Sequence, residues 1–252
     1  MIYFVGAGCG APDLITLRGA RLLAQADTVV YAGSLVSPAL LDDTKPGCEM
    51  HNSAEMTLDE VISVLTRVYE SGGTAVRLHT GDPSLYGAIR EQMDALRAAD
   101  IPFEICPGVS SFCGAAAVLQ AEYTLPGVSQ SVVITRMAGR TPVPERESIK
   151  SFAAHRATMV IFLSSGMADS LQAELISGGY PPETPAAVVY KASWPDEKVV
   201  HCTLGTLSRT TVDSGIDHHA LICVGDFLGD AYELSKLYDP GFTTAFRKGT
   251  DS

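Results

Sequence analysis

The sequence predicts an α/β protein, two αβα domains with a ligand cleft between them. Three observations carry this. Short β-branched and aromatic runs alternate with stretches of helical hydrophobic period along most of the chain. Glycine-rich turns stand where several of the strand-like runs end. A Leu125-Pro126-Gly127 breaker interrupts the alternation, which then resumes. Such alternation covers both faces of a sheet with helices. Ligands of these sheets bind at the carboxyl ends of strands, often between domains.

Taken in order, residues 2–5 form a strand that runs into glycines. Residues 14–25 carry Leu and Ile at helical spacing, and residues 27–31 are a second strand. A helix over 57–70 opens on Thr57-Leu58-Asp59-Glu60, a capping-box pattern, and lines Val61, Val64, Leu65 and Val68 along one face. Residues 74–78 are a strand, 85–98 a helix, 103–105 a strand and 110–120 a small Ala-rich helix. After the breaker come strand 131–135, helix 145–154, strand 158–163 and helix 167–177. Strands 186–190 and 198–203, helix 205–213 and strand 220–224 follow. The expected domains are 1–126 and 127–227, with a polar C-terminal extension over 228–252.

The 252 residues hold 29 acidic and 18 basic side chains, a net charge of −11. Residues 1–126 contribute 7 basic and 15 acidic groups, net −8, and the rest 11 and 14, net −3. This disfavours nucleic acid and anionic membrane as partners. One window, 131–156, is locally positive, with Arg136, Arg140, Arg146, Lys150 and Arg156 against Glu145 and Glu147. It reads as a local anion site or as a solvated helix face. No signal peptide or membrane span is expected, since apolar runs stop short of the roughly 18 residues a span needs. A cytoplasmic protein is the expectation. The six cysteines form no C-x-x-C pair and read as reduced, mostly buried thiols. His218 and His219 are adjacent, and on a strand would face opposite ways, so no metal site is expected.

Chemistry concentrates at strand ends. Val5-Gly6-Ala7-Gly8-Cys9-Gly10-Ala11-Pro12-Asp13 follows the first strand. Its glycines admit positive φ and close ligand approach, or simply make a tight turn. The spacing lacks the dinucleotide fingerprint, which disfavours a nicotinamide dehydrogenase. His79-Thr80-Gly81-Asp82-Pro83-Ser84-Leu85-Tyr86-Gly87 offers a carboxylate that could cap a helix or bind a ligand hydroxyl or ammonium. Cys106-Pro107-Gly108-Val109-Ser110-Ser111 repeats the strand–turn–helix pattern, with both serines candidate N-caps. The second half adds Thr135-Arg136-Met137-Ala138-Gly139-Arg140-Thr141-Pro142, a stiffened loop whose arginines can fork onto carboxylates. It also adds Phe162-Leu163-Ser164-Ser165, and Tyr190-Lys191-Ala192-Ser193-Trp194-Pro195-Asp196-Glu197-Lys198 with the single Trp. A lone Trp reads first as core packing.

The ordered set VGAGxG-x-PDLIT, TGDPSLYGA and PGVSS resembles the tetrapyrrole methyltransferases, the class III S-adenosylmethionine methyltransferases. Within them YAGSLVS, TRMAGRTPVPE, FLSS and YKASWPDEKV are similar to the branch that methylates C11 of precorrin-4 in cobalamin biosynthesis. The resemblance spans residues 1 to about 227. It implies two αβα domains with S-adenosylmethionine in a cleft between them, S-adenosylhomocysteine as product, and a homodimer. Carried over by motif, cofactor contacts fall to Cys9, Thr80, Gly81, Asp82, Leu85, Ser110, Ser111, Leu163, Ala192, His219 and Ala220. Gly8 and Gly10 face the macrocycle side in relatives. Arg136, Arg140, Lys191 and Arg18 are the candidates for the substrate's carboxylates, the alternative for each being a surface salt bridge of little value. Relatives usually read GPGDPD at residues 8–13, so Cys9 replaces a proline and Ala11 an aspartate here.

The implied reaction is an SN2 methyl transfer to an electron-rich ring carbon, run by proximity and orientation. No catalytic acid, base or nucleophile is assigned. Rival readings are a relative acting on uroporphyrinogen III, another precorrin, a diphthamide precursor or ribosomal RNA. A non-catalytic tetrapyrrole-binding protein is the rival from another class. The ring is expected either metal-free or already holding cobalt.

Overall fold

The computed structural model describes residues 1–250. The chain forms two compact units, Met1–Val118 with Lys191–Lys198, and Leu119–Tyr190 with the chain from Val199 onward.

The first unit is a five-stranded sheet of β1 (Ile2–Gly6), β2 (Thr28–Tyr31), β3 (Glu49–Asn52), β4 (Ala75–His79) and β5 (Phe103–Cys106), in the order β3-β2-β4-β1-β5. Every pairing is parallel. Parallel strands need helical crossovers, which leave the sheet buried on both faces. The helices are α1 (Leu17–Gln25), α2 (Pro38–Asp42), α3 (Leu58–Glu70), α4 (Ile89–Ala98) and α5 (Ser111–Leu119). On one face Ile2, Phe4, Val30 and Ala75 meet Val61, Leu65 and Val68 of α3 and Leu96 of α4. On the other, Val5, Val29, Val76 and Leu78 meet Leu23 of α1 and Leu40 of α2. Each fully buried Leu contributes about 1.5–3 kcal/mol.

The second unit holds β6 (Val132–Arg136), β7 (Thr158–Phe162), β8 (Pro185–Tyr190), β9 (Lys198–Thr203) and β10 (Ala220–Val224), in the order β6-β7-β10-β8-β9. β6 and β7 are parallel, and β10 runs antiparallel to β7 and β8. Its helices are α6 (Ile149–Ala153), α7 (Ala168–Gly178) and α8 (Leu207–Asp213). Met159, Ile161, Ile222 and Val224 form its core with Leu171, Leu175 and Leu207.

Five elements depart from the sequence reading. The first helix starts at Leu17, because Thr16 caps it by accepting from Gly19 N at 3.0 Å, and Pro12–Leu14 is a separate 3-10 turn. The fourth helix starts at Ile89, because Tyr86 and Ala88 lie at φ 57° and 49°, outside helical space. The stretch 145–154 divides into a 3-10 turn and α6 at Ser148, whose hydroxyl accepts from Ser151 N. α2 and β3 were not expected at all. β3 is an edge strand of Glu49, Met50, His51 and Asn52, without β-branched residues, steadied by Arg67 on Glu49 at 3.0 Å. The capping box on Thr57 and Glu60 forms as expected.

All six cysteines are free, with Cys9, Cys106 and Cys223 buried. No helix among the described residues is long and apolar enough to cross a membrane, and no group of His, Cys, Asp and Glu among them could hold a metal ion. The stretch 225–250 is mostly irregular. Arg247 ties part of it by donating to the carbonyls of Leu237, Asp239 and Phe242.

Candidate functional site

The three glycine motifs of the first unit follow β1, β4 and β5, which are adjacent and parallel. Their carboxyl ends therefore share one edge of the sheet, and the three loops meet there. Contact between them is backbone on backbone. A Cβ on Gly6 would lie 2.5 Å from both Gly108 Cα and Gly81 O. Gly8 and Gly81 exchange hydrogen bonds in both directions, at 3.3 and 2.8 Å. Gly8 and Gly81 take φ of +83° and +61°, where a side chain is strained.

Asp82 ties the second loop to the third. Its Oδ2 accepts from Gly108 N at 2.8 Å, and its Oδ1 accepts from Ser84 N at 2.8 Å and from the Ser84 hydroxyl. Burial alone would raise this carboxyl, but the hydrogen bonds from Ser84 and Gly108 outweigh it and hold it below the usual aspartate value. No Lys or Arg pairs with it among the described residues. Thr80 donates to Leu35 O at 2.8 Å, fixing the loop after β2 beside the one after β4. Leu85 is half-buried, and its N–H closes the turn on Asp82 O. Ser110 is buried, and its carbonyl accepts from Cys113 and Gly114 at the start of α5, while Ser111 opens that helix half-buried.

The glycine loop after β1 is pinned by the segment Lys191–Lys198, which belongs to this unit. Ser193 Oγ accepts from Ala11 N at 3.0 Å and lies 3.4 Å from Cys9 Sγ. Cys9 is buried against α5, where a Cβ on Gly114 would stand 2.7 Å from its sulfur. Trp194 covers Gly10 so closely that a Cβ there would be 2.3 Å from Trp194 Cδ1. Ala192 is buried in the same segment. Lys191 pairs with Asp196 at 2.6 Å and stands 5.5 Å over the Trp194 ring. Arg18 is exposed on α1 without an ion pair among the described residues.

In the second unit the candidates gather at one edge of the sheet. β6 and β7 end there, and antiparallel β10 begins there, with Ala220 opposite Tyr190. Met137 N donates to Ser164 Oγ at 2.9 Å, locking the loops after β6 and β7 together. Leu163 projects at φ 52° with 65% of its surface exposed, and His219, at φ 54°, precedes Ala220. Arg136 spends donors on its own loop, to the carbonyls of Met137, Thr141 and Pro142. Arg140 is exposed and makes no ion pair among the described residues.

Sequence reasoning missed Ser193, Trp194 and Ser164 as residues that hold these loops. The only signal was the single Trp beside a Lys-Ala-Ser run; the partners lie too far along the chain to be read locally. It also missed a buried pair on β4. Arg77, 6% exposed, has its pKa lowered to about 10 by burial, and His79, 3% exposed, is held down to about 3 by burial and then by the Arg77 charge.

Comparisons with known proteins place the whole chain among relatives. The family described as Tetrapyrrole (Corrin/Porphyrin) Methylases matches residues 1–208. The chain is 50% identical to the cobalt-precorrin-4 C(11)-methyltransferase of Methanocaldococcus jannaschii, over 98% of this chain and 96% of the relative. The X-ray structure of a cobalamin biosynthetic enzyme, cobalt precorrin-4 methyltransferase, aligns with a TM-score of 0.89 and 45% identity, covering 91% of this chain and 96% of that one. Uroporphyrin-III C-methyl transferase from Thermus thermophilus, complexed with S-adenyl homocysteine, aligns with a TM-score of 0.76 and 28% identity, over 90% and 98% of the two chains. With its three glycine loops on adjacent parallel strands and a family match over most of its length, the chain belongs to the tetrapyrrole (corrin/porphyrin) methylases.

Proposed function

We propose that this protein transfers a methyl group from S-adenosylmethionine to C11 of precorrin-4, in its cobalt-containing or metal-free form, during cobalamin biosynthesis. The observation that carries this is the 50% identity, over 98% of the chain, to a relative named for that reaction on cobalt-precorrin-4. The cobalt-containing ring is therefore the first substrate to test. The alignment to the uroporphyrin-III enzyme is weaker in identity, at 28%.

The residues present fit the cofactor. Gly81 leaves bare a patch over Ser110 that a Cβ would fill, at 3.4 Å from Ser110 Cα. Asp82 stays ionised without a basic partner, which suits a ligand carrying a sulfonium and an ammonium. When bound, S-adenosylmethionine supplies an electrophilic methyl on sulfur. Cys9, Thr80, Gly81, Asp82, Leu85, Ser110, Ser111 and Ala192 of the first unit are the proposed holders. Leu163, His219 and Ala220 are those proposed on the second.

The polycarboxylate ring is assigned to Gly8 and Gly10 and to the cations Arg18, Arg136, Arg140 and Lys191. Arg140 leads this set, since its guanidinium is not committed to the loop carbonyls that occupy Arg136. The protein's task is to hold C11 in line with the S–CH3 bond, where alignment can be worth roughly 7–11 kcal/mol. A side-chain base is not required at the transfer step, so no residue is given that role. We further propose a cytoplasmic homodimer without nucleic-acid or membrane partners; the net charge of −11 supports the exclusion of nucleic acid.

The test is incubation with methyl-labelled S-adenosylmethionine and cobalt-precorrin-4 or precorrin-4, followed by mass analysis and NMR location of the methyl. Label at C11 is expected. A macrocycle that takes up no label, or takes it at another carbon, overturns the reading.

A further inference from the structure

Arg77 of β4 and Gln92 of α4 form a buried pair joined by hydrogen bond to the Tyr86–Ala88 turn that follows Asp82. Arg77 Nε donates to Gln92 Oε1 at 3.1 Å, and its second nitrogen donates to the carbonyls of Val30 and Leu78. Gln92 Nε2 in turn donates to Ala88 O at 3.0 Å. Both side chains are 6% exposed. A buried guanidinium without a carboxylate is a costly way to fill a core. Its three acceptors lie on β2, on β4 and on α4, the helix that starts directly after the turn.

That turn is strained. Tyr86 and Ala88 are both left-handed at φ 57° and 49°, and neither is glycine. Such residues are strained and persist only where the surroundings over-determine them. Gly87, between them, has room for no side chain, since a Cβ would lie 2.3 Å from Pro83 O. Gln92 Nε2 holds Ala88 O, and Arg77 fixes the orientation of the Gln92 amide, because its N–H must face the oxygen.

We propose that Arg77 and Gln92 are positioning residues that hold the Tyr86–Ala88 turn in its left-handed conformation, and so set Leu85 and the Asp82 loop for S-adenosylmethionine. This rests on the cofactor assignment above. Arg77 orients the amide, the amide holds Ala88, and Ala88 holds the loop. The alternative is that the pair only stabilises the core.

Gln92→Glu separates the two. The carboxylate still accepts from Arg77 but has no N–H for Ala88 O. A melting temperature near that of the unaltered protein is expected. S-adenosylmethionine affinity by calorimetry falls about tenfold, KM for it rises in step, and kcat is little changed. Gln92→Met, which breaks both links, is the second variant should Glu prevent folding; it is expected to lose the same affinity and also to melt earlier. Cofactor affinity equal to the unaltered protein's in a folded variant overturns the proposal, whatever the melting temperature does. Should the unaltered protein itself not bind S-adenosylmethionine, the cofactor assignment fails, and the positioning role fails with it.

Discussion

Gly108→Ala tests the close contact of the three glycine loops. The new methyl would sit 2.1 Å from Gly81 O, 2.7 Å from Gly6 Cα and 2.9 Å from Gly6 C. All three are backbone atoms, so no side-chain tip can swing away. Restoring ordinary contact moves the loops by about 1 Å, and overpacking of this kind costs about 1–3 kcal/mol. That movement also pulls Gly108 N from Asp82 Oδ2, now at 2.8 Å. A hydrogen bond to a charged group is worth about 1.5–3 kcal/mol. Together they give about 4 kcal/mol, near 15 °C in the melting of the first unit at roughly 4 °C per kcal/mol. Gly47→Ala is the control. Gly47 has φ +82° with nothing within 4 Å, so only backbone strain of about 1–2 kcal/mol is expected there. Scanning calorimetry on both variants decides it. If Gly108→Ala melts with Gly47→Ala, the loops do not interlock as described.

Asp82→Asn leaves either Gly108 N or the Ser84 donors without an acceptor. It should cost about 1–3 kcal/mol in urea unfolding and weaken S-adenosylmethionine binding. Because the folded Asp82 carboxyl lies below its ordinary 3.8, that gap should hold at neutral pH and narrow as pH falls below 3.8. His79, with a folded pKa of about 3 against 6.5, binds fewer protons folded than unfolded. Stability should therefore be full above pH 6.5 and fall as pH drops toward 3, and His79→Phe should flatten that slope in acid titrations followed by circular dichroism. Arg140→Ala should raise the tetrapyrrole dissociation constant about tenfold, one charge-assisted contact, while calorimetry shows S-adenosylmethionine affinity unchanged. Equal loss of both would remove Arg140 from the substrate set.

The elements that framed the site were legible because their signals are local. Gly6, Gly81 and Gly108 with their prolines mark the turns after β1, β4 and β5, and Thr57 with Glu60 announces α3. Strand order was not legible, and it is what makes those three turns neighbours. β3 escaped because Glu49–Asn52 lacks β-branched residues and takes its strand character from pairing with β2. The start of α4 was misplaced because left-handed Tyr86 and Ala88 carry no sequence mark. Arg77 lies within the strand read over 74–78, but a strand pattern does not say which way a side chain faces, and only the fold shows it buried. Ser193 on Ala11 joins residues 182 apart, beyond any local pattern.

The segment Lys191–Lys198 bears on how this protein comes into being on the ribosome. Domains commonly fold as units, the amino-terminal one first, while synthesis continues. Here the first unit cannot be finished that way. Its first segment ends at Val118, but Ser193 and Trp194, which fix Ala11 and cover Gly10, are made far later. Until they emerge, the loop is held at Gly8 by Gly81 and at Cys9 by α5, but Ala11 N lacks its Ser193 acceptor and Gly10 lacks its Trp194 cover. A fragment ending at Val118 should accordingly keep its sheet and the Gly8–Gly81 pairing yet leave the Gly10–Ala11 end of the loop exposed, and the same fragment supplied with a 191–198 peptide should cover it again.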